Sequence, residues 1–311
     1  MSSLNDHSLN GPLNDHFENL SLIVVTGKGG TGKSVVSAAL GRHLAERGRR
    51  TLLLEVDPRE NLHHLCDVPP SGGDIVDVAP KLYLQNLKPT DVCDWVVEKQ
   101  VKIKPIVNRV LKSPVYQRFV EGAPGITEIA ILGHALRLVR GDRPDAPKID
   151  TVILDAPATG HGIYLLTSSR LFGETVGEGP FADLALEVAD FVDAPEKTGM
   201  VVVTLAEEMP VQEAIELVRD FESKLGRPPD LMVANALYPP VTQGPEQDDE
   251  LTELWRSRRA VNEKELTRLA EHWPGPALPL PLLALDDGPR LVRALTDLIA
   301  EDFAAEESPT L

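Results

Sequence analysis

Residues 27–34 read GKGGTGKS and match the pattern G-x-x-x-x-G-K-[ST]. The apolar run 20–26 before them predicts a buried strand. The Ala- and Leu-rich run 34–47 after them ends before a glycine and predicts a helix. A strand, a glycine-rich loop and a helix in this order are the context that a phosphate-binding motif requires. The sequence therefore predicts a loop that cradles nucleotide phosphates.

Each residue type in this loop has a physical reason. Glycines let successive backbone N–H groups turn inward around phosphates, and the following helix adds its positive N-terminal end. Lys33 is expected to reach the β- and γ-phosphates of ATP, and Ser34 to offer its hydroxyl to Mg²⁺. The residues expected to contact the nucleotide through this loop are Gly27, Gly29, Gly30, Thr31, Gly32, Lys33 and Ser34.

Carboxylates follow two further predicted strands, 51–56 and 150–154. Asp57 would lie in the ligand crevice near Mg²⁺ and orient the attacking water, although an Asp-Pro turn opener explains the spacing equally well. Asp155 closes an apolar run, as in the Walker B pattern, and would hold Mg²⁺. The loop after it is expected to move with the γ-phosphate, with a structural role for its histidine left open. The predicted switch residues are Asp57, Pro58, Asp155, Thr159, Gly160 and His161.

The rest of the chain alternates strand and helix patterns, which predicts an α/β fold with a parallel sheet covered by helices on both faces. Further strands are predicted at 82–87, 200–205, 231–234 and 278–283. Amphipathic stretches indicate an inserted helical layer at about 90–140 and 163–195. Residues 20–311 are expected to form one P-loop domain, and residues 1–19 a disordered tail.

The amino-acid composition makes some classes of binding partner less favourable. The 311 residues carry a formal net charge of −17, which disfavours non-specific binding to nucleic acid or anionic lipid. No apolar run approaches the roughly 20 residues of a membrane span, so direct membrane insertion is not expected. The two cysteines, Cys66 and Cys93, are not a C-x-x-C pair. The two unpaired cysteines and an acidic N-terminus that does not resemble a signal peptide both favour a cytoplasmic location.

Lys28, an additional lysine at the start of the loop, carries a resemblance to a known superfamily. K-G-G-x-G-K-S is similar to the deviant P-loop of the superfamily that contains septum-positioning and plasmid-partition ATPases, nitrogenase iron protein, and the arsenite-pump and tail-anchored-protein targeting ATPases. In that superfamily the first lysine crosses a dimer interface to the partner's nucleotide. The resemblance implies that Lys28 is an intermolecular catalytic residue, and that the active form is an ATP-hydrolysing homodimer.

Other motifs resemble the arsenite-pump and targeting branch. Asp57-Pro58 followed by Asn61-Leu62 is similar to its first switch, and the segment from Asp155 to His161 to its second. The segment APGITE at 123–128 also resembles this branch. Asn235 resembles its adenine-contacting residue. The chain departs from the family in lacking a metalloid cysteine set, a zinc C-x-x-C pair and a second P-loop.

Several functions remain open at this point. The branch resemblance implies capture of a hydrophobic protein client in the helical layer, although the same side chains would equally pack on one another. The alternatives are a motor subunit of an anion or metalloid efflux system with a membrane-protein partner, a positioning ATPase, and a nucleotide-sensing scaffold. The candidate client contacts are Trp95, Val110, Tyr116, Phe119, Phe181 and Phe191.

Overall fold

The sheet confirms the predicted α/β class. The computed structural model describes residues 13–56, 59–101, 103–157, 162–176, 178–240 and 250–307. Within them, one sheet has the strand order β3-β4-β2-β5-β1-β6-β7-β8. All neighbouring pairs are parallel except β3 and β4. The strands are Leu22–Thr26 (β1), Thr51–Glu55 (β2), Val76–Ala79 (β3), Leu82–Asn86 (β4), Thr151–Asp155 (β5), Thr198–Leu205 (β6), Leu231–Leu237 (β7) and Ala277–Pro281 (β8).

Helices cover both faces of this sheet. Within the described ranges they are Leu13–Asn19 (α1), Lys33–Glu46 (α2), Asn61–Cys66 (α3), Pro89–Gln100 (α4), Lys104–Leu111 (α5), Pro114–Gly122 (α6), Ile126–Arg140 (α7), Gly162–Val176 (α8), Pro180–Asp193 (α9), Glu208–Leu225 (α10), Glu250–Ala270 (α11) and Pro289–Glu307 (α12). Alternate strand residues point to opposite faces. Leu52 and Leu54 therefore join one apolar core with α7 and α9, whereas Leu53 joins a second core with α2 and α12.

Six helices, α4 to α9, occupy the chain on either side of β5. Helices α5 and α6 each bury only one side chain, Val107 and Val120. By contrast, Phe191 of α9 is buried in the core. The expectation that Phe191 contacts a client is therefore wrong, because its ring already packs in the protein interior.

The predicted disordered tail needs a correction at residues 13–19, which form α1. Leu13 and Phe17, four residues apart on one face of this helix, are both buried. The Phe17 ring stacks on Phe303 of α12 with centroids 5.8 Å apart. Docking of this apolar face stabilises a helix too short to persist alone. Residues 1–12 lie outside the described part of the chain.

The two outer strands show the limits of sequence patterns. β8 carries Pro279 and Pro281 and lies at one edge of the sheet, where proline is tolerated. It ends at Pro281 rather than at the predicted residue 283. β3 forms the opposite, antiparallel edge and was not predicted. In the part of the chain that the structure describes, no helix combines the length and apolar character needed to cross a bilayer.

Candidate active site

Glycines shape the phosphate loop because neighbouring strands leave no room for side chains. Gly27 has φ of +141°, and a Cβ atom there would lie 2.2 Å from the Val203 carbonyl oxygen of β6. Gly32 has φ of +89°, and its Cβ would lie 2.2 Å from the Asn235 side-chain nitrogen. Both φ values also strain any residue other than glycine. The loop is thus held against the carboxyl ends of β6 and β7, beside β1, where ligands bind in open α/β sheets.

Lys33 begins α2 and is only 7% exposed. Its ammonium donates a hydrogen bond to the Lys28 carbonyl oxygen at 3.0 Å, and the Thr31 hydroxyl donates to the same oxygen at 2.9 Å. Burial lowers the pKa of Lys33, and the nearby Asp155 carboxylate opposes that shift. A buried ammonium held by the loop itself is well placed to bind a phosphate anion.

Asp155 connects the loop helix to β5. The Ser34 hydroxyl donates to Asp155 Oδ2 at 2.6 Å, and the Ser37 hydroxyl donates to Oδ1 at 3.2 Å. The register that pairs Val25 with Asp155 brings this carboxylate beside the loop. Ser37 was missed by the sequence reasoning, although its position one turn after Ser34 puts both hydroxyls on one helix face.

Mg²⁺ suits this pair of residues. A hydroxyl and a carboxylate are the hard oxygen donors that Mg²⁺ prefers. Ser34 and Asp155 would hold the ion, which would neutralise charge on the phosphates. Among the described residues no cluster of three or more His, Cys, Asp or Glu side chains is arranged for a metal.

Asn235 supports the loop directly. Its side-chain amide donates to the Thr31 carbonyl oxygen at 2.9 Å. The next residue, Ala236, has φ of +55°, and the pairing of β7 with β8 shifts register between Ala234 and Leu237. This irregularity bends the strand where Asn235 meets the loop. Contact between Asn235 and adenine stays a prediction.

Lys28 points away from the loop and contacts α10. Its side chain is 56% exposed, and its ammonium pairs with the carboxylate of Glu213. The second carboxylate oxygen of Glu213 is buried with no hydrogen-bond partner in the described structure. No sequence signal pointed to Glu213, because 185 residues separate it from Lys28.

Five predicted switch residues, namely Asp57, Pro58, Thr159, Gly160 and His161, lie outside the described residues. Helix α3, which follows the predicted first switch, is hydrogen-bonded to the end of β2. Glu55, buried at the end of β2, accepts a hydrogen bond from the backbone N–H of Leu62 at 3.2 Å. His63 lies 3.7 Å from the carboxylates of Glu55 and Glu60, and burial lowers its pKa.

Comparison with known proteins agrees with this geometry. The model of the anion-transporting ATPase family matches residues 20–178. The ATPase BagA of Mycobacterium tuberculosis is 30% identical over 213 residues, covering 64% of this chain and 60% of that protein. The arsenical pump-driving ATPase of Escherichia coli is 30% identical over 240 residues, covering 72% of this chain and 40% of that protein. ATPase ASNA1 homolog 2 of Paramecium tetraurelia is 28% identical over 159 residues, covering 50% of this chain and 46% of that protein.

Each alignment therefore spans less than two thirds of the relative's length. The matched family segment contains the phosphate loop, Asp57, Asp155 and the whole second switch. Glu213 and Asn235 lie beyond that segment.

Proposed function

Because this chain belongs to the anion-transporting ATPase family, we propose that it hydrolyses Mg-ATP as a homodimer and uses ATP binding to capture a hydrophobic protein segment. The observation that carries the ATPase proposal is the hydrogen bond between Ser34 and Asp155. It joins the phosphate loop to the acidic strand end, the two parts that phosphoryl transfer to water needs side by side.

Four residues of one chain have distinct proposed roles in ATP hydrolysis. Lys33 moves from the Lys28 carbonyl to the β- and γ-phosphates and stabilises the charge that develops on them. Ser34 and Asp155 would hold Mg²⁺, which would supply positive charge to neutralise the phosphates. Asp57 orients the attacking water in line with the γ-phosphate and accepts its proton. The loop to His161 responds to the presence of the γ-phosphate.

Lys28 completes the site in trans. Its half-exposed ammonium is held within its own chain by Glu213. In a dimer with facing phosphate loops, Lys28 leaves Glu213 and contacts the nucleotide of the partner subunit. Turnover then requires both subunits, so hydrolysis follows pairing.

The client proposal is supported by apolar side chains that stay exposed on α5, on α6 and just before α5. Ile103 and Ile106 are exposed, and Val115 is 79% exposed. Exposed apolar groups of this kind mark interaction sites when they cluster. Neighbouring aromatic rings already make contacts within the protein. The Tyr116 hydroxyl donates to Asp94 at 2.7 Å, and Phe119 packs edge-to-face on Phe181. We therefore place the client site on these exposed side chains, Ile103, Ile106 and Val115.

A motor subunit of an anion or metalloid efflux system is the second candidate, because one relative is an arsenical pump-driving ATPase. The properties of the two thiols do not favour metalloid binding by this chain. Burial raises the pKa of Cys66 and of Cys93 to about 12, which disfavours the thiolate forms that bind soft metals. A membrane-protein partner stays compatible with either function.

Phosphate release with Mg-ATP tests the ATPase proposal. Lys33→Ala should abolish turnover, whereas Lys148→Ala, which removes an exposed lysine outside the site, should leave it unchanged. Equal turnover in wild type and Lys33→Ala would refute hydrolysis at this loop.

A further inference from the structure

A second cavity lies away from the phosphate loop. Its volume is about 740 Å³, within the range of small-molecule sites. It is open to solvent on one side and is lined by β4, helices α4 and α7, the turn at Gly72 and Gly73, and the loop 142–147. No residue of the phosphate loop and no Asp155 atom lines it, so nucleotide binding does not account for it.

Arg137, in the last turn of α7, is the notable side chain of this cavity. It is only 6% exposed, and its guanidinium carbon lies 3.0 Å from the centroid of the Trp95 ring. Within the described structure its guanidinium makes no hydrogen bond and no ion pair, and its Nε atom is buried without a partner. Buried charges in proteins are normally paired, because an unpaired one loses its hydration without compensation.

Four carboxylates line the cavity, those of Asp74, Asp91, Asp142 and Asp145, and none of them lies at ion-pair distance from Arg137. Asp145 is occupied by Arg143, which donates to it at 3.1 and 2.6 Å and lowers its pKa to about 2. Asp142 and Asp145 attract Arg137 electrostatically, but both lie beyond ion-pair distance. Burial, and then Arg143, lower the pKa of Arg137 to about 10, as expected for a guanidinium without a close counter-charge.

The neighbouring His134 contributes no charge. It is 1% exposed, and its Nε2 atom lies 2.8 Å from the side-chain oxygen of Gln85. The Gln85 amide donates to the Gly73 carbonyl oxygen at 2.8 Å, which orients its oxygen toward His134. His134 Nε2 is therefore the donor and Nδ1 carries a lone pair. Burial, followed by repulsion from Arg143 and Arg137, lowers the His134 pKa to about 3, so the ring is neutral.

We propose that this cavity binds a small organic monoanion, a carboxylate with an apolar body, whose charged group pairs with Arg137. The Trp95 ring holds the guanidinium carbon at 3.0 Å from its centroid, and a planar guanidinium suits a two-pronged bond to a carboxylate. Ile75, Leu87 and Val92 provide apolar surface for the body of the ligand. Exposed Asp74, Asp91 and Asp142 line the cavity as well and disfavour ligands with several negative charges.

Calorimetric titration of the full chain without nucleotide tests this proposal. The probes are hexanoate, benzoate and 4-phenylbutyrate, each compared with its neutral amide. Wild type should bind at least one acid about tenfold or more tightly than the matching amide. Arg137→Gln should remove that preference. Arg140→Gln should keep it, because Arg140 pairs with Glu187 outside the cavity.

Two further variants keep the test decisive if Arg137→Gln does not fold. Arg137→Lys keeps the charge without the planar guanidinium and should weaken acid binding severalfold. Ala146→Phe fills the cavity and should abolish binding of every probe. The proposal is overturned if wild type binds none of the acids, binds acids and amides equally, or keeps its acid preference in Arg137→Gln or Ala146→Phe. None of these outcomes bears on ATP hydrolysis.

Discussion

Lys28 of the phosphate loop and Glu213 of α10 form an ion pair within one chain. The resemblance implies that the same Lys28 ammonium contacts the nucleotide of a partner subunit. In the proposed dimer, Glu213 would therefore compete with the partner's nucleotide for Lys28. Because the Lys28 side chain is 56% exposed, solvent screens the pair and the competition is modest.

Glu213→Gln should strengthen ATP-dependent dimerisation by about two- to fivefold, since the competing ion pair is lost. Sedimentation velocity in the Asp57→Asn background, with Mg-ATP, measures the dissociation constant. Glu216→Gln, on the same helix and bonded to Gln212 instead, should have no effect. A weaker dimer in Glu213→Gln would mean that Glu213 positions Lys28 rather than restraining it.

Ser34→Ala should lower ATP affinity about tenfold in the presence of Mg²⁺ and have little effect when Mg²⁺ is removed with a chelator. The hydroxyl is lost as a ligand, while the lysine and backbone contacts to phosphate remain. Equilibrium binding of a fluorescent ATP analogue measures both conditions. Ser37→Ala, which bonds the other Asp155 oxygen, should keep the full Mg²⁺ effect and lose about 1 kcal/mol of stability. An unchanged Mg²⁺ effect in Ser34→Ala would place the ion elsewhere.

The ion pair of Asp150 with Arg50 should make the stability of the fold sensitive to acid. Hydrogen bonds from Arg50 lower the Asp150 pKa to about 2, below the unfolded value near 4. A lowered carboxyl pKa stabilises the fold above pH 4, and that stabilisation is lost as the pH falls towards 2. Thermal unfolding should show Asp150→Asn less stable than wild type at pH 7, with the difference shrinking between pH 4 and pH 2. A difference that stays constant with pH would show that the charge of Asp150 does not stabilise the fold.

The exposed apolar side chains on α6, on α5 and just before α5 should bind the client. Replacing Ile103, Ile106 and Val115 together with serine should weaken binding of a single apolar helical peptide at least about tenfold in the Asp57→Asn, ATP-bound protein. Basal ATP turnover in an otherwise wild-type chain should not change. Replacing Leu251 and Leu254 of α11, which are equally exposed, serves as the control. Equal losses in both variants would indicate non-specific hydrophobic binding.

Local patterns predicted where the phosphate loop and the Asp155 strand end lie, and the roles of these residues stay predictions. The phosphate loop, Lys33, Ser34 and Asp155 were predictable because each depends on a short motif next to a buried strand. The structure brings Ser34 and Asp155 together as parallel pairing of β1 with β5 requires. Helix α1 was missed because its polar composition hides the Leu13 and Phe17 pair, which is buried by packing against distant segments such as α12.

Contacts between distant segments were beyond sequence reasoning. Glu213 approaches Lys28 only because α10 packs beside the phosphate loop. Trp95 was predicted as a client contact, yet Arg137 lies over its ring. That contact depends on how α4 packs on α7, which amphipathic spacing leaves undetermined.

The trans role of Lys28 is tested most directly by mixing two inactive variants. Lys28→Ala keeps its own phosphate loop and Asp57 but lacks the lysine for its partner. Asp57→Asn binds ATP and supplies Lys28 but cannot hydrolyse. Neither should turn over alone, and an equimolar mixture should recover about a quarter of wild-type phosphate release, because half of the randomly formed dimers contain one competent site. Full activity of Lys28→Ala alone, or no recovery in a mixture shown by cross-linking to contain mixed dimers, would contradict the proposal.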